Sequence, residues 1–131
     1  MSRVVHFEIQ ADDLERAKSF YGAVFDWKFE DYGHFTGSPY WGVVTGPDEE
    51  MGINGGLMPR PAPAPGPGHG LAAFVCTIGV EDFDETAAKV LAAGGQVALP
   101  KMALTGMAWQ GYFLDTEGNT FGVHQPDPEA R

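Results

Sequence analysis

The sequence predicts an α+β fold made of two copies of one βαβββ unit. Three observations predict it. Sliding the chain by 69 positions sets the ten residues from His6 on those from Val75, so that Ile9 falls on Ile78, Asp13 on Asp82 and Leu14 on Phe83. In both copies a β-branched, aromatic segment runs into an aspartate-capped helical pattern, and strand-length segments follow. Residues 59–70, between the copies, hold five of the ten prolines, as expected of an extended connector.

The elements follow in order. Val4 to Ile9 is rich enough in β-branched and aromatic residues for a strand. Asp12 and Asp13 stand ready to cap a helix, and Asp12 to Glu15 has capping-box spacing. Leu14, Ala17, Tyr21, Val24 and Phe25 then recur at helical spacing as one apolar face. Phe25-Asp-Trp-Lys-Phe-Glu alternates like a half-buried strand, Tyr40 to Thr45 reads as a third, and Ile53 to Met58 as a short fourth. Gly55 and Gly56 weaken that fourth strand but let a ligand or another backbone come close. In the second copy Leu71 to Ile78 reads as a strand, and Asp82 caps a helix. The buried stripe of that helix is Phe83, Ala87, Val90 and Leu91, and Gly94-Gly95 ends it. Gln96 to Leu99, Trp109 to Leu114 and Thr120 to His124 complete the unit, with a turn over 115–119. One domain over 1–131 is expected, with modules 1–58 and 71–125 joined by the connector 59–70. Neither module alone buries its sheet, so the two are expected to pair.

Composition excludes several function classes. Net charge is -10, which argues against nucleic acid and anionic membranes, since both want a basic face. Apolar runs fall far short of the roughly 20 residues of a membrane span. The first residues lack a secretory apolar region, so the cytoplasm is the expected compartment. One cysteine, Cys76, rules out an intrachain disulfide and a cysteine-rich zinc site. Strand alternation turns it toward the helices, as a buried, inert thiol. No P-loop lysine follows Gly55-Gly56, and no Gly-x-Ser-x-Gly elbow exists.

His6 and Glu8 are the best pair for chemistry. Alternation puts both on one face of the first strand, about 7 Å apart at roughly 3.3 Å per residue. Both could touch one small ligand, as acid and base. His6 stands either as a pocket residue or as a hydrogen-bonded core histidine. His34 is expected in an exposed loop, and His69 in the connector is not a ligand.

The chain resembles the vicinal oxygen chelate superfamily, the glyoxalase/bleomycin-resistance/extradiol-dioxygenase group. The residues that carry the likeness are His6 followed by Asp13-Leu-Glu-Arg-Ala-Lys-Ser-Phe-Tyr21, then Phe25-Asp-Trp. In the second half they are Val80-Glu-Asp-Phe-Asp-Glu-Thr-Ala, Gly94-Gly95 and Asp115-Thr-Glu-Gly-Asn-Thr-Phe. The resemblance implies paired modules curling into an open, incomplete eight-stranded barrel around a small molecule. It also implies four metal-ligand positions, which fall on His6, Gly56, Val75 and Gly122. Only the first offers a donor side chain, whereas a catalytic divalent site needs about three protein ligands. The expectation is therefore no metal cofactor. The alternative is a displaced site on His6, Glu8 and His124, holding zinc, nickel, manganese or iron. In such a fold Tyr40, Trp41 and Trp109 are expected to line the pocket with His6, Glu8, Gly56, Val75 and Gly122.

These readings converge on a metal-independent small-molecule binding protein taking an aromatic or apolar ligand. His6 and Glu8 are the candidate catalytic pair if there is turnover. The alternative is a lyase, isomerase or dioxygenase related to lactoylglutathione lyase. A filled, purely structural barrel is a further possibility. The resemblance implies a homodimer, because open barrels leave strand edges to cover. An acidic dimer groove, as in the bleomycin-resistance branch, would favour a cationic drug.

Overall fold

Two aspartates start the two long helices. Asp13 has extended backbone (φ -124°, ψ 103°), and its side chain accepts from the Arg16 N–H at 3.0 Å, opening α1 (Leu14–Phe25). Asp82 does the same for the Glu85 N–H at 2.9 Å and opens α3 (Phe83–Ala92). Such a cap satisfies one of the four donors that a helix start leaves open. The computed structural model describes residues 2–63, 74–116 and 119–131. The remaining elements are β1 (Arg3–Ala11), β2 (Lys28–Asp31), α2 (Gly33–Thr36), β3 (Trp41–Val44), β4 (Gly55–Pro59), β5 (Val75–Gly79), β6 (Gln96–Leu104), β7 (Ala108–Leu114) and β8 (Thr120–Pro126). The class is α+β, and the βαβββ order occurs twice, with α2 as an insertion. No described helix is long and apolar enough to cross a membrane.

The chain forms two compact units: His6–Phe74, and Val75–Arg131 with the N-terminal residues through Val5. In the first, the strands run β2-β3-β4-β1. β1 and β4 are parallel, with Glu8 beside Gly56 and Ile9 beside Leu57. The other pairs are antiparallel, with Gly42 beside Gly56 and Glu30 beside Gly42. In the second unit the order is β5-β8-β7-β6. There Thr77 lies beside Gly122 on parallel strands, and Tyr112 lies beside Gly122 on antiparallel ones. Parallel first and last strands need a crossover, which the helix and two further strands of each module supply.

Each sheet buries its helix-facing side. In the first unit Phe7, Ile9, Val43 and Leu57 form the core, against Leu14, Ala17 and Tyr21 of α1 with Trp27, Phe29 and Trp41. In the second, Val80, Phe83, Phe113 and Val123 do so, joined by Ile78, Ala87 and Val90. Alternation then turns His6, Glu8 and Gly56 to the opposite face of the first sheet, and Thr77, Gln110 and Gly122 to that of the second.

Several expectations are corrected here. Phe25-Asp26-Trp27 is not strand: α1 continues through Phe25, and Asp26 closes it in the left-handed conformation (φ 60°), its N–H donating to the Gly22 carbonyl at 3.0 Å. Such a cap satisfies a carbonyl at the helix end, which strand geometry would leave open. Val24 and Leu91 fall outside the buried stripes and are about half exposed, because each helix covers its sheet with a narrower face than the spacing suggests. Cys76 is exposed. It shares the helix-facing side with Ile78, but the core cluster reaches Ile78 and stops short of it. β6 extends five residues beyond Leu99, to Leu104, with irregular register on the way. Ile53 and Asn54 precede the fourth strand. Most of the expected connector, His69 included, and the start of the expected strand at Leu71 lie outside the described residues. Of the expected turn over 115–119, residues 117 and 118 lie outside the described residues; at its ends the Asp115 N–H donates to the Asn119 carbonyl and the Asn119 N–H to the Asp115 carboxylate, each at 2.9 Å.

Candidate functional site

The site of the first unit is built around a buried carboxylate. Glu8 is 6% exposed, in the middle of β1. Burying a carboxylate is costly unless it is hydrogen-bonded. Tyr40, just before β3, meets that need: its hydroxyl donates to Glu8 Oε2 at 2.8 Å. The Tyr40 hydroxyl oxygen also lies 2.9 Å from His6 Nε2. A phenol has one proton, and Glu8 takes it, so His6 Nε2 carries a hydrogen and donates to Tyr40. The result is a hydrogen-bonded chain that runs from His6 through Tyr40 to Glu8.

Gly56 makes room for that chain. A Cβ built on Gly56 would collide with the Tyr40 hydroxyl and ring, Cε1 standing at 2.7 Å. The tyrosine thus occupies the space that a side chain at 56 would fill. The pattern repeats one strand over, where the Tyr32 ring lies over Gly42, with Cδ2 2.9 Å from a built Cβ. The Tyr32 hydroxyl donates to Glu30 Oε2 at 2.5 Å, and that bond raises its pKa by holding the proton. By register, Glu30, Gly42, Gly56 and Glu8 form one row across β2, β3, β4 and β1. Tyrosines cover the two glycines, and carboxylates stand at the two ends.

The second unit has a related arrangement with different side chains. Thr77 occupies Glu8's place beside the glycine, here Gly122. A Cβ on Gly122 would collide with Thr77 Oγ1 and stand 2.9 Å from Gln110 Nε2 and 3.2 Å from Tyr112 Cε1. Thr77 is 1% exposed, and its Oγ1 has no hydrogen-bond partner among the described residues. An orphaned buried hydroxyl of this kind costs about 1–3 kcal/mol. Gln110, 7% exposed, accepts at Oε1 from His124 Nδ1 at 2.8 Å. Burial lowers the His124 pKa below the ordinary histidine value. His124 is thus neutral in the upper pH range, with its hydrogen on Nδ1.

The expected site residues fall in two groups, one on each unit. His6, Glu8, Tyr40 and Gly56 come together. Gly122 and His124 lie on the matching face of the second unit, and Val75 starts the strand that carries Thr77. Trp41 does not join Tyr40. It faces α1, where Lys18 Nζ sits 3.3 Å above its ring, because neighbouring residues of an extended chain point to opposite faces. Trp109 likewise packs in the helix-side core, its indole N–H on Asp127 Oδ2 at 3.0 Å and Lys101 Nζ 4.4 Å from its ring. His34 is exposed as expected, within the single turn α2. Sequence reasoning missed Thr77, Gln110, Glu30 and Tyr32 as site residues. Glycines 42, 56 and 122 in strand interiors were the available signal.

The side chains present do not fit the metal set that the resemblance implies. Three of its four positions carry no donor, and the space at two of these is filled by neighbouring side chains. His6 Nε2 already donates its hydrogen to Tyr40. Among the described residues no three histidine, cysteine, aspartate or glutamate side chains gather into a metal-holding group.

Comparison with known structures shows the fold in several proteins. A hypothetical protein from Bacillus halodurans matches over 99% of this chain and 98% of its own, at 14% identity and a TM-score of 0.65. Methylmalonyl-CoA epimerase from Mycobacterium tuberculosis matches over 95% and 88%, at 15% identity and 0.64. A glyoxalase/bleomycin resistance protein/dioxygenase superfamily member from Vibrio splendidus matches over 97% and 100%, at 16% identity and 0.60. No curated protein matches. The sequence pattern of the Glyoxalase/Bleomycin resistance protein/Dioxygenase superfamily matches residues 3–123. With 121 of 131 residues matched (3 through 123), the chain belongs to that superfamily.

Proposed function

We propose that this chain is a metal-independent small-molecule binding protein. Its ligand is an aromatic or apolar molecule bearing one hydrogen-bonding group, and it engages the face that carries His6, Tyr40 and Glu8. The observation that carries this reading is the placement of Tyr40 over Gly56. A position that the resemblance assigns to a metal ligand is taken by a phenol hydrogen-bonded on both sides. That arrangement offers hydrogen bonds and an aromatic ring, which suit a small organic ligand. A thermal-shift screen of uncharged aromatic compounds tests it. A hit should raise the melting temperature progressively, about as the logarithm of ligand concentration above its dissociation constant, and the shift should disappear in Tyr40→Phe and His6→Ala. Hits that stabilise those variants equally would overturn the reading.

The hydrogen-bonded chain also favours a second reading, a metal-free lyase or isomerase. Glu8 would take a proton from the substrate and return it at another position or face, with Tyr40 and His6 holding its carboxylate in place. Some structural neighbours are methylmalonyl-CoA epimerases, and an epimerase needs such proton transfers. Turnover that vanishes in Glu8→Gln, while ligand binding persists, separates this reading from simple binding. A homodimer is part of the same proposal; light scattering on purified protein should give twice the mass of 14.1 kDa.

A further inference from the structure

Thr77 and Glu8 hold corresponding places, each beside the glycine of the parallel neighbouring strand. In the first unit the polar group at this place is hydrogen-bonded by Tyr40. In the second the Thr77 hydroxyl is buried and has no partner among the described residues. Valine has the same shape and would avoid that cost, so packing alone does not explain threonine here. The space over Gly122 is shared by Thr77 Oγ1 and Gln110 Nε2. Gln110 Oε1 lies 2.8 Å from His124 Nδ1, where it accepts the hydrogen of the Nδ1–H tautomer, and Nε2 is the amide atom near Gly122. That nitrogen is a donor.

We propose that Thr77, Gln110 and His124 form a binding site for the carbonyl oxygen of an uncharged small molecule, which takes the space beside Gly122 that the Gln110 amide fills in the free protein. The Thr77 O–H and the Gln110 N–H donate to that oxygen. No lysine or arginine belongs to the cluster, and the chain carries a charge of -10, so a carbonyl suits the site better than a carboxylate. Thr77 and Gln110 are both buried in the free protein, so the oxygen reaches Thr77 by shifting the Gln110 amide. His124 feels that shift through its bond to Oε1 and reports binding. The site lies wholly in the second unit and does not depend on the His6–Tyr40–Glu8 reading.

The test is a titration with benzamide, followed by NMR of the histidine rings and glutamine side chains. The expected result is saturable movement of the His124 and Gln110 signals, with an affinity in about the millimolar range for a fragment of this size. Thr77→Val should weaken binding by about tenfold or more, a loss of one hydrogen bond. It should melt no lower than the parent protein. Benzoate, of the same shape but charged, should bind at least about tenfold more weakly. Should Thr77→Val fail to fold, Gln110→Met carries the same expectation. The proposal is overturned by stationary His124 and Gln110 signals, by unchanged binding in the variants, or by equal binding of benzoate. Movement confined to His6 also overturns it, and would instead support the first-unit site.

Discussion

At the scale of single residues, two glycines decide what each sheet face can hold. Tyr40→Phe removes the one hydroxyl that joins His6 to Glu8, leaving a buried carboxylate short of a donor. The expected loss is about 1–3 kcal/mol of stability in urea denaturation. Gly56→Ala should displace the same tyrosine, since the new Cβ would collide with it. Tyr40→Phe should then cost less in the Gly56→Ala background than alone, with a coupling of about 0.5–3 kcal/mol; additive losses would contradict the geometry. His124 makes a pH prediction. Its pKa is lowered by burial in the folded state, whereas the unfolded value is near 6.5. The unfolded chain therefore binds more protons between the two values, so stability is complete above about pH 6.5 and falls as pH drops toward the folded pKa. NMR titration should place His124 below the ordinary value, and His124→Gln should flatten that part of the stability profile. At this scale the sequence showed His6 and Glu8 on one face, because alternation is local. It did not show Tyr40 between them, because that contact spans 34 residues and depends on the register of β3 against β4. Trp41 was misplaced for a simpler reason: it follows Tyr40 directly, and two adjacent strand residues do not share a face.

At the scale of elements, the caps were legible and several strand limits were not. Asp13 and Asp82 each hold an N–H in their helix's first turn, and Asp→Ala at either should cost about 1 kcal/mol by thermal denaturation. Leu57 lies fully buried on β4 between Ile9 and Trp41. Leu57→Ala should cost about 2–5 kcal/mol, the range for a buried leucine that leaves a cavity. The limits of α1 were misread because Phe25-Asp-Trp-Lys-Phe alternates in sequence, yet Asp26 accepts the left-handed conformation that ends a helix. Asn and Asp tolerate that conformation better than most residues, so an aspartate at the end of an apolar helical stripe was the overlooked signal. The extension of β6 to Leu104 was hidden by Pro100 and by a register that shifts twice, both of which blur a period-two pattern.

At the scale of the whole molecule, the repeat read from the sequence is the repeat of the fold, and its two copies have diverged in chemistry. One face carries Glu8, Tyr40 and His6, and its counterpart carries Thr77, Gln110 and His124. The glycines at 56 and 122 are common to both. The superfamily was legible because the likeness spreads over most of the chain; its reaction was not, because one fold hosts many chemistries and function rests on the site. The central claim is that these faces engage organic molecules through hydrogen bonds and rings in place of a metal. Its most direct test is the metal content of tag-free protein after incubation with Zn²⁺, Ni²⁺, Mn²⁺ and Fe²⁺ followed by desalting. The account predicts less than about a tenth of an equivalent of any of them, since three of the four expected ligand positions carry no donor side chain and no three donors gather among the described residues. About one equivalent, lost on His6→Ala, would contradict it.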